Sequence, residues 1–320
     1  MEDKRKRVVV IGGGHGQSTI LRGIKNIDDL DITAIVTVAD DGGSTGRLVR
    51  KFHIPAMGDI RNVMVALSES ETLFSELMDF RFEDPMNTEE DVLGHSLGNL
   101  ILTAMTEQCG SFMKAVSLTS EVLNVKGDII PATTQIIQLY AKMDDGVIVR
   151  GEANIPNVDN HISKVFYQEE VIATPEAVQA ILEADVVVYG IGSVYTSILP
   201  NVIIPGIKQA LHDTNATRVY ICNAMSQPGE TDGYSVEDHV KALVDHGAMV
   251  DAVVVATEEI PAYVLERYAK MGSTPVFLEQ DEHEYEVIEK PLLMFQDGKV
   301  RHNYHKIEKA FEDLMHRKRS

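Results

Sequence analysis

The chain has 320 residues, of which 44% are hydrophobic, enough to bury the core of one large α/β domain or two smaller ones. Its net charge of −20 argues against a nucleic-acid partner, and no apolar run approaches the roughly 20 residues that a membrane-spanning helix needs. The two cysteines lack metal-ligand spacing, and the N-terminal apolar run is too short for a signal peptide. We therefore expect a cytoplasmic protein with no membrane partner.

The charge is unevenly distributed. Residues 1–70 carry a net charge of +1, whereas residues 71–320 carry −21. The near-neutral segment is also rich in glycine, and its arginines are candidates for neutralising a bound phosphate: Arg22, Arg47, Arg50 and Arg61. Ordinary surface charge is the alternative interpretation.

Short β-branched runs alternate with segments of helical period, which predicts a mainly parallel sheet covered by helices on both faces. Strands are predicted at residues 7–11, 32–38, 185–189, 218–222, 251–256 and 275–278. Helices are predicted at residues 19–25, 59–68, 73–80, 96–109, 112–123, 175–183, 204–212, 236–246, 261–270 and 305–317. An irregular insertion at 125–170 contains a predicted antiparallel pair, 135–142 and 147–155, with a turn at 144–146. We expect a single domain over residues 1–320, since no repeat or long linker interrupts it.

A glycine-rich turn joins the first predicted strand to the first helix. It contains Gly12, Gly13, Gly14, His15 and Gly16. Glycine lets the backbone approach a ligand closely, and a helix start offers free N–H groups and the positive end of its dipole. The turn therefore predicts a phosphate or diphosphate site. It lacks the third glycine of a dinucleotide fingerprint and the lysine of a P-loop, and a tight turn without a ligand is the alternative.

A second polar loop follows the second predicted strand. Its candidate residues are Asp40, Asp41, Gly42, Gly43, Ser44 and Arg47. The two carboxylates predict either a Mg²⁺ site or a ribose contact, and the glycine backbone and the arginine suit phosphate oxygens. A flexible acidic turn is the alternative.

Two further clusters lie near predicted helix starts. Asp59 is predicted to cap a helix, and Arg61 and Asn62 then face the same region as the cap. His95 and Asn99 lie one helical turn apart, so that the histidine is either an acid/base or phosphate-binding group or a structural residue.

Loops after two later strands repeat this pattern. The candidates are Gly192, Ser193, Tyr195, Thr196 and Asn201 after the strand at 185–189, and Asn223 and Gln227 after the strand at 218–222. Since the carboxyl ends of parallel strands meet at one sheet edge, we expect all these loops to converge on one crevice.

The motifs at residues 12–16, 39–43, 46–48, 58–62, 94–100, 192–201 and 222–231 resemble, in this order, those of YvcK-type gluconeogenesis factors in the CofD-like superfamily. The resemblance covers nearly the whole chain and includes Tyr268 and Arg301. Small departures are His15 for the usual threonine, Gln17 for leucine and Ser226 for threonine.

The resemblance implies a Rossmann-like, doubly wound α/β fold that binds UDP-sugars such as UDP-N-acetylglucosamine, with Tyr268 and Arg301 closing on the ligand. It also implies a role in cell shape and cell-wall precursor supply during growth on gluconeogenic carbon sources. In the related transferase CofD, which uses Mg²⁺, Asp40 and Asp41 would correspond to the acidic acceptor or metal region. Phosphorylation by a serine/threonine kinase, commonly on a threonine near the C-terminus, is implied too, but this sequence has no threonine after Thr274.

Three functional hypotheses follow. The first is a nucleotide-sugar-binding regulator. The second is a Mg²⁺-dependent transferase that moves a phosphoester group from a nucleotide diphosphate donor. The third, an NAD-type oxidoreductase, rests on the first loop alone. A homo-oligomer is one of the states open to this chain, since α/β metabolite-binding proteins often assemble.

Overall fold

The computed structural model describes residues 5–69, 73–83 and 92–316 of the chain. The strands are β1 (Lys6–Gly12), β2 (Leu30–Val36), β3 (Asp128–Pro131), β4 (Tyr140–Met143), β5 (Ile148–Arg150), β6 (Ile162–Phe166), β7 (Val186–Gly190), β8 (Thr217–Ile221), β9 (Ala252–Ala256), β10 (Glu286–Lys290), β11 (Leu293–Gln296) and β12 (Lys299–His302). The α-helices are α1 (Gly14–Ile24), α2 (Gly43–Phe52), α3 (Gly58–Leu67), α4 (Leu73–Asp79), α5 (Leu97–Cys109), α6 (Phe112–Val122), α7 (Pro175–Glu183), α8 (Leu199–Val202), α9 (Pro205–Asp213), α10 (Val236–Asp245), α11 (Ala262–Ala269) and α12 (Tyr304–His316). A 3₁₀-helix spans Glu152–Asn157 and a π-helix spans Val194–Ile198.

Seven strands form one parallel sheet in the order β3-β2-β1-β7-β8-β9-β10. The chain first builds outward from β1 through β2 to β3, and then returns to the other side of β1 with β7. The strand order therefore reverses between β1 and β7, which is where doubly wound sheets bind ligands. The predicted doubly wound, Rossmann-like fold is confirmed.

The strands are apolar on both sides because helices cover both faces of the sheet. Val9 and Ile11 belong to one core cluster with residues of α7, α9 and α10. Val8 and Val10 belong to the other, with residues of α1, α3, α5 and α12. Among the described residues, no helix combines the length and apolar character needed to cross a membrane.

The insertion carries a small antiparallel sheet of its own, in the order β5-β4-β6. The backbone N–H of Met143 donates to the carbonyl of Val147 at 2.8 Å, so the predicted turn at 144–146 is confirmed. Both predicted strands are shorter than expected, and the second gives way to the 3₁₀-helix. A second hairpin, β11–β12, precedes α12.

All ten predicted helices are present, although residue 317 of the last one lies outside the described residues. The strand predicted at 275–278 is wrong: this segment forms only an isolated bridge between Pro275 and Met225, and β10 supplies the last strand of the sheet. The N-cap predicted at Asp59 is also wrong, since Met57 occupies that position and makes no side-chain cap. The glycine-rich segment after β2 folds into α2 rather than a loop, and β3 lies within the predicted irregular insertion.

Candidate functional site

The loops that follow β1 and β7 are in direct contact at the point where the strand order reverses. A Cβ added to Gly16 would lie 1.7 Å from the carbonyl oxygen of Ile191, and one added to Gly192 would lie 3.7 Å from the carbonyl oxygen of Gly13. Asn223, in the loop after β8, donates from Nδ2 to the carbonyl of Gly192 at 2.9 Å. Three of the predicted loops thus meet at one sheet edge.

The carboxylate of Asp59, on α3, lies under the glycine turn. A Cβ on Gly13 would be 2.5 Å from Asp59 Oδ2. Burial and the neighbouring charge of Asp40 raise the pKa of Asp59 to about 7, and the Gly14 N–H and the Arg61 guanidinium partly offset this rise. A carboxylate therefore occupies the surroundings of the α1 N-terminus, where a phosphate was predicted.

Asp40 and Asp41 point into different surroundings. Asp40 accepts the Gly42 N–H at 2.9 Å, and a Cβ on Gly58 would lie 3.2 Å from its Oδ2. Burial raises the pKa of Asp40, against the lowering effect of hydrogen bonds from Gly42 and Thr45. Asp41 instead accepts hydrogen bonds from the insertion.

Asp41 anchors the insertion to the core. Its Oδ1 accepts the Ala153 N–H at 3.1 Å, and its Oδ2 accepts the side-chain amide of Gln138. A Cβ on Gly151 would lie 2.7 Å from Asp41 Oδ2, so the chain passes very close to this carboxylate. Both oxygens of Asp41 therefore accept hydrogen bonds that hold the insertion over the sheet edge.

Two glutamates join this acidic group, and the sequence interpretation missed both. Burial raises the pKa of Glu152, in the 3₁₀-helix, to about 8, with further increments from Asp40, Asp59 and Glu230. Glu230 is buried, and burial raises its pKa to about 6. It accepts hydrogen bonds from the hydroxyls of Ser193 and Thr196, at 3.3 Å for Thr196. Their spacing in the sequence gives no signal of their convergence, because the insertion brings Glu152 to the site and the loop after β8 brings Glu230.

Asp40 and Asp41 are the predicted Mg²⁺ ligands. Among the described residues, no group of three or more histidine, cysteine or acidic side chains is arranged to hold a metal ion. The oxygens of Asp41 already face protein donors, whereas Asp40 lies beside Asp59. A cation held by the two successive aspartates does not fit this arrangement, and a role for Asp40 in binding Mg²⁺ stays a prediction.

Positively charged side chains lie beside the acidic group. Arg61 is buried and forms an ion pair with Asp79 at 2.9 Å and a hydrogen bond with Asn62 Oδ1 at 2.6 Å. Arg47, on α2, donates to the carbonyl of Leu93. These residues lie in the region that the sequence analysis assigned to phosphate.

His95 and Asn99 lie in the interior next to α2. His95 is 4% exposed, and burial together with the charges of Arg47, Arg81 and Lys51 lowers its pKa. Asn99 is also buried, and its Nδ2 lies 3.5 Å from the hydroxyl of Thr45. The Asn99 side chain therefore links α5 to α2.

Some predicted ligand-binding residues are buried beneath the loops and form hydrogen bonds within the protein. Asn201 is fully buried, and its Nδ2 donates to the carbonyls of Gly12, Ser197 and Ile198 at 3.1, 2.9 and 3.3 Å. The hydroxyl of Tyr195 is buried and lies 2.9 Å from that of Tyr234. The contacts of these two side chains in the structure are therefore with the protein itself.

Tyr268 and Arg301 lie at the β11–β12 hairpin. The Tyr268 hydroxyl accepts the Val300 N–H at 3.1 Å, and Arg301 is exposed on β12. Burial lowers the pKa of the adjacent His302 to about 4, against the effect of a hydrogen bond with the Cys222 backbone at the end of β8. The hairpin thus stands at the same sheet edge as the loops.

The remaining candidates occupy the rim. Gly42 and Gly43 begin α2, Ser44 accepts a hydrogen bond from Arg81 at 3.2 Å, and His15 is exposed. Gln227 donates its backbone N–H to Thr231 at 2.9 Å in the loop after β8.

The fold and the site together define a doubly wound α/β protein. Its strand-end loops meet where the strand order of the sheet reverses. The family described as 2-phospho-L-lactate transferase CofD matches residues 8–293 of this chain. The gluconeogenesis factor of Halalkalibacterium halodurans is 46% identical over 315 residues, covering 96% of each chain. The gluconeogenesis factor of Bacillus subtilis is 43% identical over 318 residues, covering 98% of this chain and 99% of its own.

The fold is also found in a solved structure. A crystal structure of a UPF0052 family protein from Bacillus halodurans superimposes with a TM-score of 0.90 at 45% identity, covering 96% of this chain and 99% of that chain. The chain belongs to the CofD family, and its full-length relatives are gluconeogenesis factors.

Proposed function

We propose that this protein binds a nucleotide sugar of the UDP-N-acetylglucosamine type in the crevice between the ends of β1 and β7, and acts as a regulator. The observation that carries the proposal is the contact between Gly16 and Ile191 at the reversal of strand order. In doubly wound sheets this is the position of the ligand crevice. The likeness to gluconeogenesis factors supports a role during growth on gluconeogenic carbon sources. Within that role we propose that the protein serves cell shape and cell-wall precursor supply.

The crevice offers groups suited to a polar, hydroxyl-rich ligand. Glu230 and Asn223 present side chains from the loop after β8, and Glu152 faces the same region from the insertion. The raised pKa of Glu152, about 8, leaves this carboxyl protonated at neutral pH, so that it can donate a hydrogen bond as well as accept one. A sugar ring, whose hydroxyls donate and accept, suits such a surface.

Thermal unfolding and calorimetric titration test the proposal. A ligand that binds only the folded chain stabilises it by about 2.7 kcal/mol at a concentration 100 times its Kd. We expect UDP-N-acetylglucosamine to raise the melting temperature and NAD to leave it unchanged. No shift at millimolar UDP-N-acetylglucosamine, with or without Mg²⁺, contradicts the proposal.

A second candidate, transfer of a phosphoester group from a nucleotide diphosphate donor, is supported by the match to the CofD family over residues 8–293. In this reaction the oxygen of an acceptor alcohol attacks the distal phosphorus and loses its proton to solvent, the bond from that phosphorus to the bridging oxygen breaks, and nucleoside monophosphate leaves with the bridging oxygen. Mg²⁺ would neutralise charge on the leaving phosphate. Release of nucleoside monophosphate, followed by ³¹P NMR in the presence of an alcohol acceptor, distinguishes this activity from binding alone.

A further inference from the structure

A small cavity lies beside the crevice, between α1, α3 and the segment after α4. Its volume is about 250 Å³, and its lining includes the charged residues Arg22, Arg61, Arg81 and Asp79, together with His15. Pockets that enclose a whole drug-sized ligand are larger, in the range of roughly 300–1,000 Å³. This cavity therefore suits one polar group of a ligand rather than a complete nucleotide sugar.

Positive charge dominates the cavity although the chain as a whole carries −20. Three arginines face a single carboxylate, Asp79, whose side chain is half exposed. Arg22 makes no hydrogen bond or ion pair with any residue of the described ranges, so its guanidinium is available to a ligand. Guanidinium groups match phosphate oxygens in geometry as well as in charge.

The cavity is held in shape by contacts within the protein. Arg61 is 8% exposed and is fixed by Asp79 and by Asn62 Oδ1. Its Nε is buried and has no hydrogen-bond partner among the described residues. Arg81 donates to the Gly94 carbonyl and to the hydroxyl of Ser44. Two of the three arginines are therefore pre-positioned, which lowers the entropy cost of binding an anion.

The glycine turn, in contrast, has a carboxylate where an anion would sit. Asp59 lies against Gly13, and its pKa of about 7 means that it is substantially ionised at and above neutral pH. An anion over the turn would meet this charge at short range, where repulsion is strong. His15 is common to the glycine turn and the cavity, because it belongs to the turn segment at residues 12–16 and also lines the cavity.

We propose that a phosphoryl group of the ligand binds in the cavity formed by Arg22, Arg61 and Arg81, and not over the glycine turn. This inference rests on the proposed function for the identity of the ligand, but not for the chemistry of the cavity. His15 and Arg22 are seven residues apart on α1 and share one face of the helix, so a ligand in the crevice reaches the arginines along that face.

Calorimetric titrations of the full chain with UDP-N-acetylglucosamine, uridine and inorganic pyrophosphate test the inference. Arg22→Gln and Arg81→Gln each remove one positive charge from the cavity. Lys114→Gln removes the same charge from the exposed surface of α6 and serves as the control. Urea unfolding confirms that each variant is folded before it is titrated.

Each arginine variant is expected to weaken UDP-N-acetylglucosamine and pyrophosphate binding by about tenfold, while uridine affinity and the Lys114→Gln variant stay unchanged. If the parent binds UDP-N-acetylglucosamine and both arginine variants bind it within twofold of the parent, the cavity is not the phosphoryl site, and the proposed function stands. If the parent binds pyrophosphate but not UDP-N-acetylglucosamine, and the variants lose pyrophosphate, the cavity stands and the proposed function fails. A parent that binds neither overturns both.

Discussion

The carboxylate of Asp59 lies against the backbone of Gly13, close enough that a Cβ there would be 2.5 Å from Oδ2. This contact places an ionisable acid at the amino end of α1, the position at which many α/β proteins hold a phosphate. Only glycine at position 13 leaves room for the carboxylate. The protonation of Asp59 therefore affects the stability of the fold and also sets the charge at the candidate site.

Replacing Asp59 with Asn is expected to flatten the pH dependence of stability. The pKa of Asp59 is raised from 3.8 to about 7 in the folded chain, so between these values the folded state holds a proton that the unfolded state has lost. The stability contributed by Asp59 is thus present at low pH and declines as the pH rises from about 4 to about 7. Relative to the parent, the stability of Asp59→Asn is expected to increase by about 2–3 kcal/mol from pH 5 to pH 8.

Urea unfolding at both pH values measures this gain. Asp28→Asn, at an exposed position in the turn after α1, is the control and is expected to show no such difference. Equal free-energy changes for Asp59→Asn at pH 5 and pH 8 would show that the pKa of Asp59 is not raised.

Gly16→Ala is expected to destabilise the protein by about 3 kcal/mol or more, since its Cβ would lie 1.7 Å from the backbone carbonyl of Ile191. A backbone atom cannot rotate away as a side chain can. Gly12→Ala, in the same turn, meets only the side chain of Gln17, at 3.4 Å or more, and is the matched control. Thermal unfolding of the two variants decides the point: similar melting temperatures would mean that the loops after β1 and β7 do not touch.

Asn201→Ala is expected to lower the free energy of unfolding by about 2 kcal/mol without any ligand, because it removes the bond that holds the Gly12 carbonyl. Asn157→Ala removes an amide that donates to the Ala153 carbonyl at an exposed position, and it should cost about 0.5 kcal/mol or less. Denaturant titration without ligand compares them. A stable Asn201→Ala variant that has lost only ligand affinity would assign the residue to direct binding instead.

Asp41→Ala is expected to destabilise the chain by about 1–2 kcal/mol, equally in Mg²⁺ and in EDTA, because its carboxylate binds Gln138 and the Ala153 N–H. Asp145→Ala is the control, since Asp145 accepts the Val147 N–H in the exposed hairpin turn. Unfolding curves recorded in both solutions measure the effect. A loss confined to the Mg²⁺ solution would assign Asp41 to a cation.

The sheet could be predicted wherever a strand is buried on both faces, because Val8 to Ile11 and similar runs are apolar throughout. The run at 275–278 has the same appearance but gains only one bridge, at Pro275, so composition alone cannot distinguish it from a strand. Helix α2 forms in spite of two glycines because Leu48 is buried and Gly46 packs on the Asp41 carbonyl. In that segment, tertiary contacts outweigh the low helix propensity of glycine.

Only those parts of the site that follow from the positions of the parallel strands could be predicted from the sequence. The convergence of the loops at Gly16 and Gly192 follows from topology, and the sequence analysis predicted it. Glu152 could not be found in this way, because it reaches the site through an insertion held by Asp41, 111 positions away in the chain. The burial of Asn201 likewise depends on the packing of the π-helix and α8 behind the glycine turn.

A crystal structure of the chain grown with UDP-N-acetylglucosamine tests the central claim most directly. We expect ligand density at the carboxyl ends of β1 and β7, beside the glycine turn, with the phosphoryl group among Arg22, Arg61 and Arg81. Density confined to the separate cavity between α2 and the insertion, lined by Arg50, Tyr140 and Arg150, would contradict it.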